Sequence, residues 1–179
     1  MNFTNELTSF RTIELRRGFT LIELMLYVSL SSILLLSVSA FISASLELRV
    51  KNLAVSKVEQ EGTRAMNMIA QTMRNAEGIN SPLAGAIAST ASIDVVSAGS
   101  DPTVFDLSGG AIRMAEGAGS AIALTSNRVS VSGLAFSNLT KTGTDGNMRI
   151  EFTVSYINAS GRNEFDYSKT FRDSASIRF

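Results

Sequence analysis

The stretch RRGFTLIEL, at residues 16–24, opens the segment on which the organisation of the whole chain depends. From Leu24 to Leu46 the sequence contains no Asp, Glu, Lys or Arg. A helix of that length crosses the roughly 30 Å hydrocarbon core of a bilayer. One carboxylate, that of Glu23, stands at the start of this apolar run, where an unpaired charge is costly. The sequence therefore predicts a membrane-spanning helix with an acidic residue at its entrance.

The segment before this helix is polar and carries a basic pair at its end. Residues 1–18 show no apolar periodicity, and Arg16 and Arg17 stand directly before Gly18. Positive charge beside the first apolar segment keeps the N-terminus in the cytoplasm, so the rest of the chain is predicted to face outward. Both a signal peptide and a signal anchor are compatible with this pattern.

Serine is frequent within the apolar run, although charge is absent. In a membrane helix the hydroxyls can bond back to the preceding turn, and small residues let neighbouring helices approach closely. The alternative is an ordinary anchor whose hydrophobicity serine merely dilutes. The serines of the run are Ser29, Ser31, Ser32, Ser37, Ser39, Ser43 and Ser45.

After Leu46 the pattern changes from uniformly apolar to amphipathic. Apolar residues recur mostly three or four positions apart, which predicts one helix from about Thr20 to Glu77 with an apolar stripe that needs a partner surface. Gly62 interrupts this helix at a cost of about 1 kcal/mol relative to Ala, and Gly78 is typical of a helix C-terminus. The stripe consists of Leu46, Val50, Leu53, Val58, Met66, Ile69, Met73 and Ala76.

Beyond Pro82 the sequence is typical of β-structure. An isolated glycine at a change of phase, Gly133, indicates a bulge. The clearest alternation runs over residues 148–156, after a tight turn at Asp145-Gly146. A return strand over residues 165–179 completes a predicted meander. The earlier candidate strands lie at residues 92–97, 103–107, 111–115, 121–125 and 128–137.

These patterns together predict an α+β fold in which a long N-terminal helix packs on an antiparallel β-sheet head. The apolar face of the meander is expected to receive the helix stripe between Val50 and Met73. Four segments are predicted in chain order: a cytoplasmic leader at 1–18, a transmembrane helix half at 19–46, an amphipathic helix half at 47–78 and an exposed β-rich head at 79–179.

The composition argues against several classes of function. The chain has 16 basic and 16 acidic residues and neither His nor Cys. Neither a Ser-His nor a Cys-His pair can form, and the acids of the head are scattered, so no catalytic residue, cofactor or metal is predicted. Balanced charge gives no basic stripe for direct nucleic-acid binding. Asp145-Gly146-Asn147 offers oxygen ligands, but it lacks the spacing of a dedicated calcium loop.

The basic pair, Gly-Phe-Thr-Leu-Ile-Glu-Leu and the long apolar segment together resemble the N-terminus of type IV prepilins, most sharply over residues 16–26. The resemblance implies that a membrane prepilin peptidase recognises Arg16 and Arg17 and cuts after Gly18. It also implies that the same enzyme methylates the new amino group of Phe19.

A structural role follows from the same resemblance. Glu23 is at the position of the family's assembly glutamate, which sets the axial step between subunits. The protein would cross the cytoplasmic membrane once with its N-terminus inside, and an inner-membrane assembly platform would then pack it with other pilin or pseudopilin subunits into an extracytoplasmic filament.

Two departures from the pattern of major pilins bear on the kind of subunit. Ala40 stands about where many major pilins carry a helix-kinking Pro, and the absence of Cys excludes the disulfide-bounded loop of many pilins. The chain is more similar to a minor pilin or to a J-type minor pseudopilin of type II secretion.

Two pairings of Glu23 are compatible with the sequence. Cleavage would give Phe19 a positive amino group four residues away, so the pair could form within one helix. In the prepilin family the acid instead meets the amino terminus of the next subunit.

A secreted or signal-anchored β-rich surface protein, not assembled into a filament, is the alternative class. Val38-Ser39-Ala40 satisfies the small-x-small rule of ordinary signal peptidase. Cleavage there would give a mature chain that starts at Phe41.

Overall fold

The computed structural model of the chain describes residues 18–159, 161 and 163–177. Its contacts divide the chain into two compact units, Met1–Ala44 and Ser45–Phe179. The predictions that concern the leader before Gly18, with its basic pair, and the predicted strand positions Arg178 and Phe179 lie outside the described residues.

One helix, α1, spans Leu21–Arg74, which confirms the predicted long N-terminal helix. It ends earlier than expected because Ala76–Ser81 form strand β1. Within that strand Gly78 pairs with Asp94 of a neighbouring strand. The prediction that Gly78 terminates the helix is therefore wrong. The residues that the apolar periodicity assigned to the last helical turn instead pair with a neighbouring strand.

In the first unit, the part of α1 that follows Leu21 is apolar and exposed. By length and composition α1 is long and apolar enough to cross a membrane, with a mean hydropathy of 2.1 over its most apolar window. Leu21, Leu36 and Phe41 are 77%, 71% and 74% exposed. This surface has no protein partner within the described residues of the unit, and an apolar surface of this extent is typical of a membrane or protein interaction site.

The second unit contains nine strands among its described residues. In addition to β1 they are β2 Ile87–Ala88, β3 Ala91–Val95, β4 Thr103–Ser108, β5 Ala111–Glu116, β6 Ile122–Ala123, β7 Val129–Asn138, β8 Asn147–Tyr156 and β9 Ser168–Ser176. They form two sheets with antiparallel pairing, in the orders β1-β3-β4-β5-β6 and β2-β7-β8-β9.

The predicted meander is confirmed, since β7, β8 and β9 are successive neighbours in one sheet. The register of β7 on β8 shifts between Ser132 and Ala135, and Gly133 has a φ of 64°, which confirms the bulge. Strand β9 begins at Ser168 because the preceding residues Asn163–Phe165 form a 3₁₀ turn. Strands β1 and β2 correspond to no predicted strand.

The amphipathic part of α1 and the two sheets share one apolar core. Val58, Ile69 and Met73 of the predicted stripe are buried in it. Leu53 is instead 65% exposed, so the prediction that the sheet receives the stripe between Val50 and Met73 is wrong at this position. Leu46, which precedes that range, is 55% exposed. The buried aromatic side chains of the core are Phe105, Phe136 and Phe152.

Gly62 allows α1 to approach strand β9 closely. A Cβ atom built on Gly62 would overlap the ring of Phe171. That ring stacks on Phe152, with centroids 5.7 Å apart and an interplanar angle of 24°. The glycine that interrupts the helix pattern is therefore required by packing against an aromatic side chain.

Two carboxylates of α1 bind the β-rich part of the second unit. Glu59 accepts two hydrogen bonds from Lys169 Nζ, at 2.6 and 2.7 Å, and this contact raises the pKa of Lys169. Glu61 is only 7% exposed, and its Oε2 accepts a hydrogen bond from the backbone N–H of Ser126 at 3.2 Å. Both contacts fix the rotation of the helix against the sheets.

Candidate functional site

The predicted site residues lie at the start of α1. Gly18 and Phe19 precede the helix, and Thr20 occupies its N-cap position. The backbone N–H of Glu23 donates to Thr20 Oγ1 at 3.3 Å, and the N–H of Leu24 donates to the Thr20 carbonyl at 3.1 Å. A Thr followed three positions later by Glu is the sequence signature of a capping box. The helix therefore starts at Leu21, directly after its N-cap residue Thr20.

The Glu23 side chain contacts Tyr27, and the ring of Tyr27 in turn contacts Phe19. The Tyr27 hydroxyl donates to Glu23 Oε1 at 3.4 Å. The rings of Phe19 and Tyr27 have centroids 5.9 Å apart and meet edge to face at 71°. Because Phe19, Glu23 and Tyr27 are spaced four apart, they lie along one face of the chain at this point.

No side-chain cation is available to Glu23 from its own unit among the described residues. Residues 18–44 contain neither Lys nor Arg, and the first downstream cation in the sequence is Arg49. The carboxylate is half-buried by its neighbours in the helix. An ionised carboxylate at this position would meet no side chain of opposite charge within residues 18–44.

The structure places the predicted site residues only in part. Gly18, Phe19 and Glu23 lie together at the helix start, whereas Arg16 and Arg17 lie outside the described residues. Tyr27 is a member of the cluster that the sequence reasoning missed. Its spacing of four from an acidic residue inside an apolar run is the signal that could have identified it.

Three serines of the apolar run bond within the helix, which confirms the predicted back-bonding at these positions. Ser29 donates to the Leu26 carbonyl at 2.9 Å, and Ser32 donates to the Val28 carbonyl at 2.8 Å. Ser37 makes the same kind of bond, to the Leu34 carbonyl at 2.8 Å. These hydroxyl protons are satisfied without a neighbouring helix, so the serines add small, weakly polar surface to α1.

The second unit holds an acidic pair on and near β3. A hydrogen bond with the Asp101 side chain raises the pKa of Asp94, and the negative charges of Asp101 and Glu77 act in the same direction. Asp101 Oδ1 also accepts a hydrogen bond from the backbone N–H of Val95 at 3.4 Å. Across the residues that the structure describes, no three His, Cys, Asp or Glu side chains are grouped as metal ligands.

One comparison with known proteins coincides with this helix start. The family model of the prokaryotic N-terminal methylation motif matches residues 15–39. Searches of curated proteins and of solved structures found no significant match to the chain. The matched residues include the basic pair, the Gly18–Phe19 bond, Glu23 and Tyr27.

The matched segment and the start of the helix that carries it are similar to the N-terminus of type IV prepilins. Its α+β architecture, a long N-terminal helix packed on two antiparallel sheets, is pilin-like. The motif match and the apolar helix are typical of a membrane-anchored structural subunit rather than of an enzyme.

Proposed function

We infer that the chain is a minor subunit of a type IV pilus or of a type II secretion pseudopilus. Prepilin peptidase recognises Arg16 and Arg17, cuts after Gly18 and methylates the amino group of Phe19. The precursor crosses the cytoplasmic membrane once with its N-terminus inside. The leader at 1–18 is removed, and the helix half at 19–46 moves from lipid into the filament.

The observation that carries this proposal is the unmatched charge of Glu23. The acid lies at the start of an apolar helix whose segment 18–44 holds no side-chain cation. An isolated charge at membrane depth costs several kcal/mol unless it is paired. Cleavage after Gly18 creates a positive amino terminus at the same depth, so processing itself supplies the missing partner.

The exposed apolar surface of α1 supports assembly through this helix. Leu21, Leu36 and Phe41 lie open in the first unit, and the serines bond within their own helix. Close packing of small residues drives association between helices in lipid. Sibling pilin or pseudopilin subunits are the partners that such a surface fits, and the inner-membrane platform is the machine that delivers them.

A minor rather than a major subunit is favoured by what the sequence omits. The apolar half of the helix contains no Pro, with Ala40 near the position of the family's kink. The chain has no Cys, so the head at 79–179 holds its fold without a disulfide-bounded loop. Purification of the filament with its sibling subunits, followed by stoichiometry from quantitative mass spectrometry, tests this assignment; a subunit present in excess of all others would contradict it.

Replacement of Glu23 tests the role of the carboxylate. Glu23→Ala and Glu23→Val should be cleaved and inserted normally, yet should be incorporated poorly or not at all, because the amino terminus of Phe19 loses its partner. The measurement is the amount of the subunit in sheared filaments, compared with the amount in membranes.

A matched control is Glu47→Ala, which removes an exposed carboxylate from the same helix. This variant should be incorporated as the wild type is. Normal incorporation of Glu23→Ala or Glu23→Val would contradict the assembly role of Glu23.

The alternative, a secreted β-rich protein cut by signal peptidase, rests on the small-x-small sequence at Val38-Ser39-Ala40. These residues lie inside α1, and its helical structure continues through them to Arg74. Cleavage there would remove Glu23 together with the whole methylation motif. The mature N-terminus distinguishes the two functions.

A further inference from the structure

We propose that Tyr27 is a positioning residue that holds the Glu23 carboxylate and the Phe19 side chain on one face of α1 for the pairing that orders the filament. This inference rests on the proposed function. It adds a residue that the methylation motif does not require, and it assigns separate tasks to the hydroxyl and to the ring.

The hydroxyl of Tyr27 occupies one oxygen of the acid. It donates to Glu23 Oε1 at 3.4 Å, while the backbone N–H of Glu23 is taken by Thr20 Oγ1 at 3.3 Å. The carboxylate is thereby held from the next turn of the helix, while Oε2 accepts no hydrogen bond from the residues that the structure describes and can receive a second donor. An amino terminus that approaches from another subunit can then meet a carboxylate with a defined orientation.

The need for this contact is mutual. Tyr27 follows Leu24, Met25 and Leu26 in the apolar run, where water is scarce, and a tyrosine hydroxyl in such surroundings usually finds a partner. Before cleavage the precursor has no amino group at Phe19. The Tyr27 hydroxyl is therefore the donor that its own helix offers to the Glu23 side chain at that stage.

The ring of Tyr27 orients the residue that becomes the N-terminus. Phe19 is 73% exposed, and the ring contact described above is with Tyr27, at 5.9 Å in edge-to-face geometry. Such aromatic pairs are favourable beyond the area that they bury. Residue Phe19 is thus held along the same side of the chain as the acid.

The test compares Tyr27→Phe, which keeps the ring, with Tyr27→Leu, which removes both contacts. Both variants should be cleaved and inserted as the wild type is. The fraction of Tyr27→Phe in filaments should fall roughly threefold to tenfold, the range of a single hydrogen bond of about 1 kcal/mol, and that of Tyr27→Leu at least as far. Ser29→Ala is the matched control, since its hydroxyl bonds only a carbonyl of its own helix, and it should assemble normally.

A spectroscopic readout shows whether the hydroxyl acts through Glu23. The full chain contains three tyrosines, so ¹³Cζ-tyrosine labelling in detergent micelles gives three NMR signals, and Tyr27→Phe assigns one of them. Glu23→Ala should move the Tyr27 signal and leave those of Tyr156 and Tyr167 in place. An interfacial tyrosine solvated by lipid headgroups would show no such dependence on Glu23.

The proposal would be overturned if Tyr27→Phe were incorporated as the wild type is, or if the Tyr27 signal did not move in Glu23→Ala. The proposed function would remain intact in either case. Failure of the wild-type chain to be cleaved after Gly18 or to enter a filament would instead overturn the proposed function. The NMR comparison uses the unassembled protein, so it reports on the Tyr27 contact in either case.

Discussion

A methyl group added at Gly62 would have two opposite effects on stability: it would raise the helix propensity, and it would disturb the packing. We expect the packing effect to be the larger. Gly62→Ala should gain about 1 kcal/mol of helix propensity. The variant should lose more free energy of unfolding than it gains, because the new Cβ would overlap the Phe171 ring. Overpacking a core costs about 1–3 kcal/mol. We expect a net decrease in the free energy of unfolding, measured by urea denaturation of the full chain in micelles.

The neighbouring exposed residue Thr63 supplies the control for Gly62. Thr63→Ala changes the helix propensity at the next position without a steric conflict, so the unfolding free energy should stay the same or rise slightly. A stabilising Gly62→Ala would show that β9 moves away from the helix at little cost.

Asp94 provides a prediction about pH. Its pKa is raised above the ordinary value of 3.8 by the hydrogen bond with Asp101, so the folded protein binds a proton more tightly than the unfolded chain does. The free energy of unfolding should therefore decrease as the pH rises from below 3.8 through the raised pKa. Asp94→Asn, whose amide can still donate to Asp101, should be more stable than the wild type at pH 7.

The control for Asp94 is the same pair of proteins at low pH. Below pH 3.8 the wild-type carboxyl group is protonated in both states, so the advantage of Asp94→Asn should disappear. Denaturation curves at several pH values measure this difference. An advantage that does not change with pH would show that Asp94 and Asp101 do not share a proton.

Strand β7 depends on a residue that can adopt a left-handed backbone conformation. Gly133 has a φ of 64° at the bulge, and a Cβ there would meet no atom within 4 Å. Gly133→Ala should therefore destabilise the head by about 1–2 kcal/mol through the backbone alone. Thermal unfolding, monitored by near-UV circular dichroism, measures this loss of stability.

The exposed neighbour Ser132 separates the backbone effect at Gly133 from a loss of strand propensity. Ser132→Ala should leave the unfolding temperature nearly unchanged. If Gly133→Ala were equally neutral, the bulge would be able to shift to another position along β7.

The strongly periodic elements were predictable from the sequence. The helix follows from an apolar run that passes into a stripe of period near 3.6. Strand β8 follows from alternation over residues 148–156, and β7 follows from alternation that changes phase at Gly133. Strands β1 and β2 were not predictable, because one overlaps the helical pattern and the other has two residues. Their pairing with β3 and β7 is decided by distant contacts.

The site was predictable at Gly18, Phe19 and Glu23, because the motif is local in the sequence. The contact of Tyr27 with Glu23 follows the same local spacing, but it depends on side-chain orientation as well. The reason for Gly62 is not local at all: Phe171 lies far away in the sequence, and only the folded chain brings its ring to the helix.

For the whole molecule, the proposed function depends first on proteolysis just before α1. Gly18→Leu should block cleavage, because the peptidase accepts Gly at this position in the family that the N-terminus resembles. The variant should accumulate as a membrane-bound precursor, detected by its larger mass. A mature-sized product from Gly18→Leu would indicate a different peptidase.

The most direct measurement is the mass and sequence of the mature N-terminus, determined by mass spectrometry on protein purified from the filament fraction. We expect a chain that begins with N-methylated Phe19, so that a new cation stands next to Glu23 at the start of the helix. A chain that retains residues before Phe19, or one that begins at Phe41, would contradict the claim that processing supplies the partner of Glu23.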